Sequence, residues 1–401
     1  MRLAIVCEQA SPRGLAGQAC GGSHAGQLAE LATVLWHAGH DVRLYTRADG
    51  SGTHQLADGV PVEHIRAGPT GTVADDARLP HTSAFGQRLV SRWRRRGWEP
   101  DLVHAHDWLS GLAATTAGQQ AGVPVALTFH EVGMARRRHL GAADPSPSCR
   151  VGMERKLAQA VDRVITQTRA GLDELVRLGV ARQRMSLIPA GVDPRIFTPR
   201  PSAPRGGRRI LTVGSLDGLD EHKGLSDVIR ALAQLPGAEL AIVGGPPGSA
   251  VADPRARRLQ ELAEACGVGP RMRLVDGVRR EQMPDWYRWA DLVVCAPWYE
   301  AFGLPAVEAM ACGVPVVATA VGGLRDTVVD RVTGALVPPR DPAALARAVR
   351  GVLGDPVRRL GYSAAARDRV RQCYAWERVA PRLEMEYRQL CPSALTRTAS
   401  A

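Results

Sequence analysis

Glu300 and Glu308 stand eight residues apart in APWYEAFGLPAVEAMACGVPVVATAVGG (296–323), and this stretch carries the densest chemistry in the chain. An apolar run, DLVVCAPW (291–298), ends in the first carboxylate. A Phe302-Gly303 turn follows, and the second carboxylate lies on the helix-forming segment behind it. Glycine lets a backbone approach a ligand closely, and a new helix offers unpaired N–H groups to an anion. Two acceptor-only carboxylates beside such amides suit a ligand bearing both hydroxyls and phosphates, as a nucleotide sugar does. Two surface glutamates, one favoured by a helix dipole, would account for one of these residues but not for the glycine-punctuated, low-polarity sequence around both.

Other residues join this pair. Lys223, in HKG, sits at an expected helix start, where the dipole disfavours a cation unless an anion is near. His130 closes the strand-like TFH, and a strand's carboxyl end faces the ligand in an open α/β sheet. His104, His106 and Asp107 read as scaffold or acceptor-side residues. Gly21-Gly22 reads either as an ordinary loop or as a close backbone approach.

The elements that must position these residues alternate. RLAIVCE (2–8), DVRLYTR (41–47), DLVHAH (101–106), VPVALTFH (123–130), DRVITQT (162–168) and MSLIPAG (185–191) read as strands. Amphipathic stretches such as 26–39 and 171–179 lie between them. After TPRPSAPRGGRR (198–209) the alternation restarts with ILTVGSL (210–216), AELAIVGG (238–245), MRLVDG (272–277), DLVVCAP (291–297), PVVATA (315–320) and GALVPP (334–339). The pattern predicts an α/β chain of two doubly wound, Rossmann-like domains, residues 1–197 and 210–374, joined by a linker at 198–209. A ligand crevice between the carboxyl ends of the two sheets is expected. A closing helix over 375–390, interrupted by Pro381, is expected to pack back on the first domain, with a tail at 391–401.

With 45% hydrophobic residues, 42 glycines and 28 prolines among 401, the chain can bury two cores and turn often. No apolar run is long enough to span a bilayer, and MRLAIVCEQASP is too quickly polar for a signal peptide, so a cytoplasmic protein is expected. Eight cysteines without a CxxC pair or a His/Cys cluster predict reduced thiols and no metal site, with Cys7, Cys295 and Cys312 as packed thiols. The formal charge of +11 includes Arg92 and Arg94 to Arg96, and Arg136 to Arg138. It reads chiefly as solvated faces; a weak membrane-surface contact is left open, and without aromatic-rich motifs no nucleic-acid partner is expected. The sequence does not speak to oligomeric state.

The segment around the two glutamates resembles the Glu-x7-Glu signature of the family-4 retaining glycosyltransferases, in the broad actinobacterial group that includes the mycothiol-pathway enzyme. GG before LAELATVLWHAGHDVRLYTR, HAHDW (104–108), TFHE (128–131), IPAGVDPRIFTP (188–199), VGSL…HKG (213–224), GGLRDTVVDRVTGALVPPRD (322–341) and WERVA (376–380) match that family in order. The resemblance implies the GT-B fold, two Rossmann-like domains facing across a crevice. It implies a retaining, metal-independent transfer of a sugar from a nucleoside-diphosphate donor, UDP preferred, to an acceptor hydroxyl, with no cofactor. The acceptor is expected to be small and polar, such as an inositol phosphate, or a natural-product or glycan precursor.

Carried over residue by residue, the resemblance makes Glu308 the holder of the ribose hydroxyls and Glu300 a contact to the donor sugar. The amides around Phe302, Gly303 and Leu304 would meet sugar and diphosphate, Lys223 would neutralise the leaving diphosphate, and His130 would contact the sugar or orient the acceptor. Gly21 and Gly22 resemble the glycine pair of the first domain; counting back from Glu30 puts Gly22 and Ser23 in that register. Ser215 occupies the place of an arginine the family usually has, so Lys223 acts alone or another cation substitutes, Arg279 and Arg280 being candidates. A nucleotide-sugar epimerase of the same fold and a nucleotide-sugar-binding protein without turnover are the competing readings. A dinucleotide-dependent dehydrogenase is disfavoured because no G-x-G-x-x-G follows the first strand.

Overall fold

The structure, a computed structural model, describes residues 1–10, 24–47, 54–56, 58–69, 73–199, 208–214 and 220–392. Strands buried on both faces need near-continuous apolar runs, and parallel crossovers supply the covering helices. Positions 102–106 and 316–319 are accordingly buried at every residue. The first sheet contains β1 (Arg2–Val6), β2 (Asp41–Arg47), β3 (His54–Gln55), β4 (Pro61–Ile65), β5 (Leu102–His106), β6 (Val125–Thr128), β7 (Arg163–Thr166) and β8 (Met185–Leu187). Its order is β3-β4-β2-β1-β5-β6-β7-β8, parallel except for the β3–β4 pair. The second contains β9 (Arg208–Val213), β10 (Ala238–Val243), β11 (Met272–Val275), β12 (Leu292–Cys295), β13 (Val316–Thr319) and β14 (Gly334–Val337), in the parallel order β11-β10-β9-β12-β13-β14.

Each sheet reverses its winding once. The order changes direction between β1 and β5 in the first sheet and between β9 and β12 in the second. At such a switch point the two following connections leave on opposite faces and open a crevice at the strands' carboxyl ends. These two edges are where ligand chemistry is expected, and they carry the residues described below.

β3 and β4 fall outside the strands expected from sequence. In β4 the alternation is spoiled by Glu63, which is buried and meets Arg92 at 3.8 Å and Arg96 at 3.2 Å from the helix Thr82–Arg96. Two of the four arginines of RWRRR therefore neutralise an internal carboxylate, while Arg94 and Arg95 are exposed.

The chain forms two compact units. One combines 27–189 with the first strand and the chain from Val379 onward; the other runs from Ala190 to Arg378. The division falls ahead of Thr198 because the intervening segment is tied to the second unit. Phe197 is in its core, and Arg288 donates to the carbonyls of Thr198 and Ile196 at 2.7 and 3.0 Å. The last two residues of the expected linker, Arg208 and Arg209, belong to β9 and pair with β10, and the Arg209 amide donates to Asp291.

The closing helix, Trp376–Leu390, is continuous through Pro381 rather than interrupted by it. An internal proline costs about 3 kcal/mol. Val379, Leu383 and Tyr387, spaced by four, are buried on one face, and at roughly 1.5–3 kcal/mol each they outweigh that loss. No helix among the described residues is long and apolar enough to cross a membrane.

The Tyr387 hydroxyl reaches His104 Nδ1 on β5 at 2.7 Å, and His104 Nε2 lies 2.8 Å from Thr128 Oγ1. Burial pushes the His104 imidazole down from 6.5 to about 3, so the ring stays neutral in the fold. A base that takes a proton only when unfolded withdraws stability as pH falls below its unfolded value. The stability advantage of wild type over His104→Gln should therefore shrink by about 1.6 kcal/mol between pH 6.5 and pH 5 in urea titrations. A difference that stays constant across that range contradicts this account.

Candidate active site

In the second unit, two loops meet at the carboxyl ends of β9 and β12. Lys223 closes the short helix Asp220–Lys223, and Gly224, at φ 66°, caps the helix Leu225–Leu232. A Cβ on Gly224 would run into the carbonyl oxygen of Ala296, just beyond β12, so only glycine allows this approach. The Trp298 amide donates to the His222 carbonyl at 2.7 Å, and its indole N–H donates to Asp227 Oδ2 at 2.8 Å. These clasps bring Lys223 Nζ to 2.8 Å from Glu300 Oε2. From the far side, the Gly323 amide donates to the Glu300 carbonyl at 2.9 Å, and Gly322 lies so close to that carbonyl that no side chain fits. The GG of VGGL thus fixes the backbone that bears Glu300.

The Lys223 and Glu300 side chains keep 40% and 20% exposure. A pair this open contributes about 0–1 kcal/mol to stability. Its consequence is positional: an ammonium and a carboxylate are held ready beside one another at a switch point.

Gly303, at φ 90°, caps the helix Leu304–Ala311, and a Cβ there would lie 2.5 Å from Leu324 Cδ2. Leu304 opens the helix and Pro305 follows it. The amides at 303 and 304 thus belong to the helix-start set that lacks intrahelical partners. One turn on, Glu308 is fully buried. Its Oε1 accepts from Arg280 Nη1 and its Oε2 from the Tyr287 hydroxyl, both at 2.6 Å. Burial and the adjoining carboxylate hold Tyr287 well above the usual phenol range, so its hydroxyl remains a donor. With one such bond on each oxygen, the carboxylate retains acceptor capacity for hydroxyls.

This arrangement ranks the two candidate cations. Arg280 is committed to Glu308 and lies over the Phe197 ring at 5.1 Å, while the exposed Arg279 pairs with Glu281 at 2.7 Å. Ser215, Gly21 and Gly22 lie outside the described residues. Tyr287, and the role of Arg280 as a partner of Glu308 rather than as a diphosphate cation, escaped sequence reasoning. Both lie more than twenty residues upstream, and no local pattern ties them to it.

The first unit has its own carboxyl-edge cluster. β6 ends at Thr128, so His130 lies two residues past the strand rather than closing it. His106 Nδ1 and His130 Nε2 are 3.0 Å apart, and both rings are buried. Asp107, at φ 79°, caps the helix Trp108–Ala121 by accepting the Trp108 amide at 2.6 Å. Burial pushes its carboxyl up to about 6. Glu8, beyond the end of β1, is likewise pushed up to about 7 by burial, against the pull of Arg78 at 3.8 Å and Arg47 at 3.5 Å. Arg150 and Glu154 form a buried pair at 2.7 Å, and Glu154 also accepts the Gly133 amide. Glu8, Arg78, Arg150 and Glu154 also went unnoticed in the sequence; only Glu8, a carboxylate at a strand end, carried a hint.

Two features point to the class: two Rossmann-like sheets, each with one switch point, and a lysine–glutamate contact with a buried second glutamate at one of them. Residues 26–196 match the model of Glycosyltransferase Family 4, and residues 199–369 that of Glycosyl transferases group 1. A D-inositol 3-phosphate glycosyltransferase of Xylanimonas cellulosilytica is 35% identical over 97% of this chain and 96% of its own length. A second from Catenulispora acidiphila is 34% identical over 96% and 95%. Among solved structures, sucrose-phosphate synthase from Thermosynechococcus elongatus superimposes with a TM-score of 0.89 at 27% identity, covering 97% of this chain and 99% of the other. Anabaena HepE in complex with UDP-glucose gives 0.75 at 19%, covering 96% and 100%. The chain belongs to the group 1, family 4 glycosyltransferases and has their GT-B fold.

The buried carboxylate generates a stability test. Arg280→Met leaves Glu308 charged and unpaired in the core, which should cost about 3–5 kcal/mol in urea unfolding. Tyr287→Phe removes one hydrogen bond to the same charge and should cost about 1.5–3 kcal/mol. Arg280→Met within 1 kcal/mol of wild type would falsify the pairing.

Proposed function

We propose that this chain is a retaining, metal-independent glycosyltransferase that moves a sugar from a UDP-sugar to a hydroxyl of a small polar acceptor of the inositol phosphate kind. The observation that carries the proposal is the Lys223–Glu300 contact at the β9/β12 switch point, with the Gly303 helix start and Glu308 beside it. Names of relatives support the acceptor class: D-inositol 3-phosphate glycosyltransferases align over nearly the whole chain. The HepE complex with UDP-glucose, on the same fold, supports the choice of base. A nucleotide-sugar donor fits a cytoplasmic setting.

As the glycosyl–phosphate bond breaks, its electron pair goes to the diphosphate and positive charge develops on the sugar ring. Lys223 and the amides at Phe302, Gly303 and Leu304 are assigned to the leaving negative charge, where preorganised donors count most. Lys223 supplies in this way the positive charge a metal would otherwise bring. Glu300, already hydrogen-bonded to Lys223, takes a hydroxyl of the sugar rather than attacking its anomeric carbon, so no glycosyl-enzyme forms through it. The acceptor enters from the face the diphosphate leaves, and a donor phosphate oxygen takes the acceptor proton. Glu308 takes the ribose hydroxyls, and His130 contributes a contact to the transferred sugar. No cofactor is needed, because the donor is itself a substrate.

The test is to incubate the protein with UDP-, GDP- and ADP-sugars and an inositol phosphate in excess EDTA, and to assign product anomers by proton NMR. Turnover from the UDP-sugar, unaffected by EDTA and with the donor's anomeric configuration kept, is expected. An inverted product, an epimerised donor, or activity that appears only with added divalent metal overturns the reading. Lys223→Ala should lower kcat by roughly 10²–10³-fold, the scale for removing one preorganised stabiliser of developing charge. Glu300→Gln should weaken turnover while leaving UDP binding near wild type, since its assigned partner is the sugar. Unaltered turnover in either variant contradicts the assigned roles.

A further inference from the structure

We propose that His106 is the positioning residue of His130, fixing its ring plane and its tautomer so that His130 presents an Nδ1–H to the substrate. This rests on the reading of His130 as a contact to the transferred sugar.

β5 and β6 are parallel neighbours in the register His104 to Ala126 and His106 to Thr128. Side chains two apart on a strand share a face, so His104 and His106 stand beside Thr128, with His130 continuing the row past the strand end. The three imidazoles form a file. The rings of His104 and His106 are 4.1 Å apart, and those of His106 and His130 are 5.2 Å apart and tilted by only 26°. The inner end is anchored twice, by the Tyr387 hydroxyl and by Thr128. His106 is 3% exposed and wedged between its two neighbours, so its Nδ1 has one direction to point, toward His130 Nε2 at 3.0 Å.

A neutral imidazole has one N–H and one lone pair on its two nitrogens. Whatever occupies Nε2 of His130 therefore decides what Nδ1 carries, as a second partner commonly sets the tautomer of a functional histidine. A site that must stabilise a departing diphosphate and hold sugar hydroxyls calls for a donor. The geometry supplies it when His106 donates through Nδ1–H to His130 Nε2, leaving the His130 proton on Nδ1. Simple packing of two rings would place no demand on the polar atom of His106.

The experiment is steady-state kinetics with UDP-sugar and acceptor on His106→Leu, His106→Asn, His106→Gln, His130→Ala and the His106→Leu/His130→Ala double variant, with urea midpoints measured alongside. The Asn amide nitrogen falls near the position of imidazole Nδ1, and the Gln amide near Nε2. Expected are a loss of roughly 10- to 100-fold in kcat for Leu and Gln, with donor KM little changed, and recovery of most of it in Asn. The double variant should equal His130→Ala, because the two residues act as one unit. Should the Leu variant not fold, the Asn–Gln contrast carries the test. Asn no better than Gln, wild-type kcat in the Leu variant, or losses that multiply in the double variant overturn the proposal while leaving the reading of His130 in place. Wild-type turnover in His130→Ala overturns both.

Discussion

Lys223 and Glu300 come from loops that follow two different strands, and their 2.8 Å contact is where those loops are brought into register. Everything around it serves that approach. Gly224 sits against the Ala296 carbonyl, the Trp298 amide bonds His222, the Trp298 indole bonds Asp227, and Gly322 passes close over the Glu300 carbonyl. None of these contacts stores much free energy by itself. Together they remove the freedom of two long charged side chains before any ligand arrives, and that freedom is what a loose site loses catalytic power to. A weak, partly exposed ion pair is therefore the proposed chemical centre, while stability resides elsewhere.

It resides in part in groups that look costly. Glu308 is a carboxylate with no solvent contact, a situation that is tolerable only because Arg280 and Tyr287 each occupy one oxygen. Replacing all three by apolar residues would often be neutral for a core, so their presence points to a carboxylate kept in place for use. The first unit shows the same economy of design around Glu8, Arg47 and Arg78, and around Arg150 and Glu154. Buried charge occurs at the carboxyl edge of both units, at Glu308 in one and at Glu8 in the other, and away from it at Glu63 on β4.

Much of this was legible in the sequence, because it rests on local patterns. Period-two and continuous apolar runs gave the placement of most strands, and the glycine turn before Leu304 marked a helix start beside a carboxylate. Lys223 and Glu300 could each be named from their own neighbourhoods. What escaped depends on chain segments far apart. β4 hides behind Glu63, whose arginine partners come from a later helix. The commitment of Arg280 to Glu308 is set by how a helix and a loop pack, and neither residue's flanks encode it. Pro381 read as a helix breaker, yet three buried side chains spaced along one face carry the helix through. The histidines were visible singly, but their alignment into a file follows only from the register of β5 against β6.

The central claim is that the carboxyl edge at β9 and β12 is the nucleotide-sugar site, with Lys223 on the diphosphate and Glu308 on the ribose. The most direct test is a crystal structure of the protein soaked with UDP. The diphosphate is expected within ion-pair distance of Lys223 Nζ and against the Gly303–Leu304 amides, and the ribose hydroxyls on Glu308. Nucleotide bound anywhere else, such as the β1/β5 edge of the first unit, or a ribose with no contact to Glu308, would contradict it.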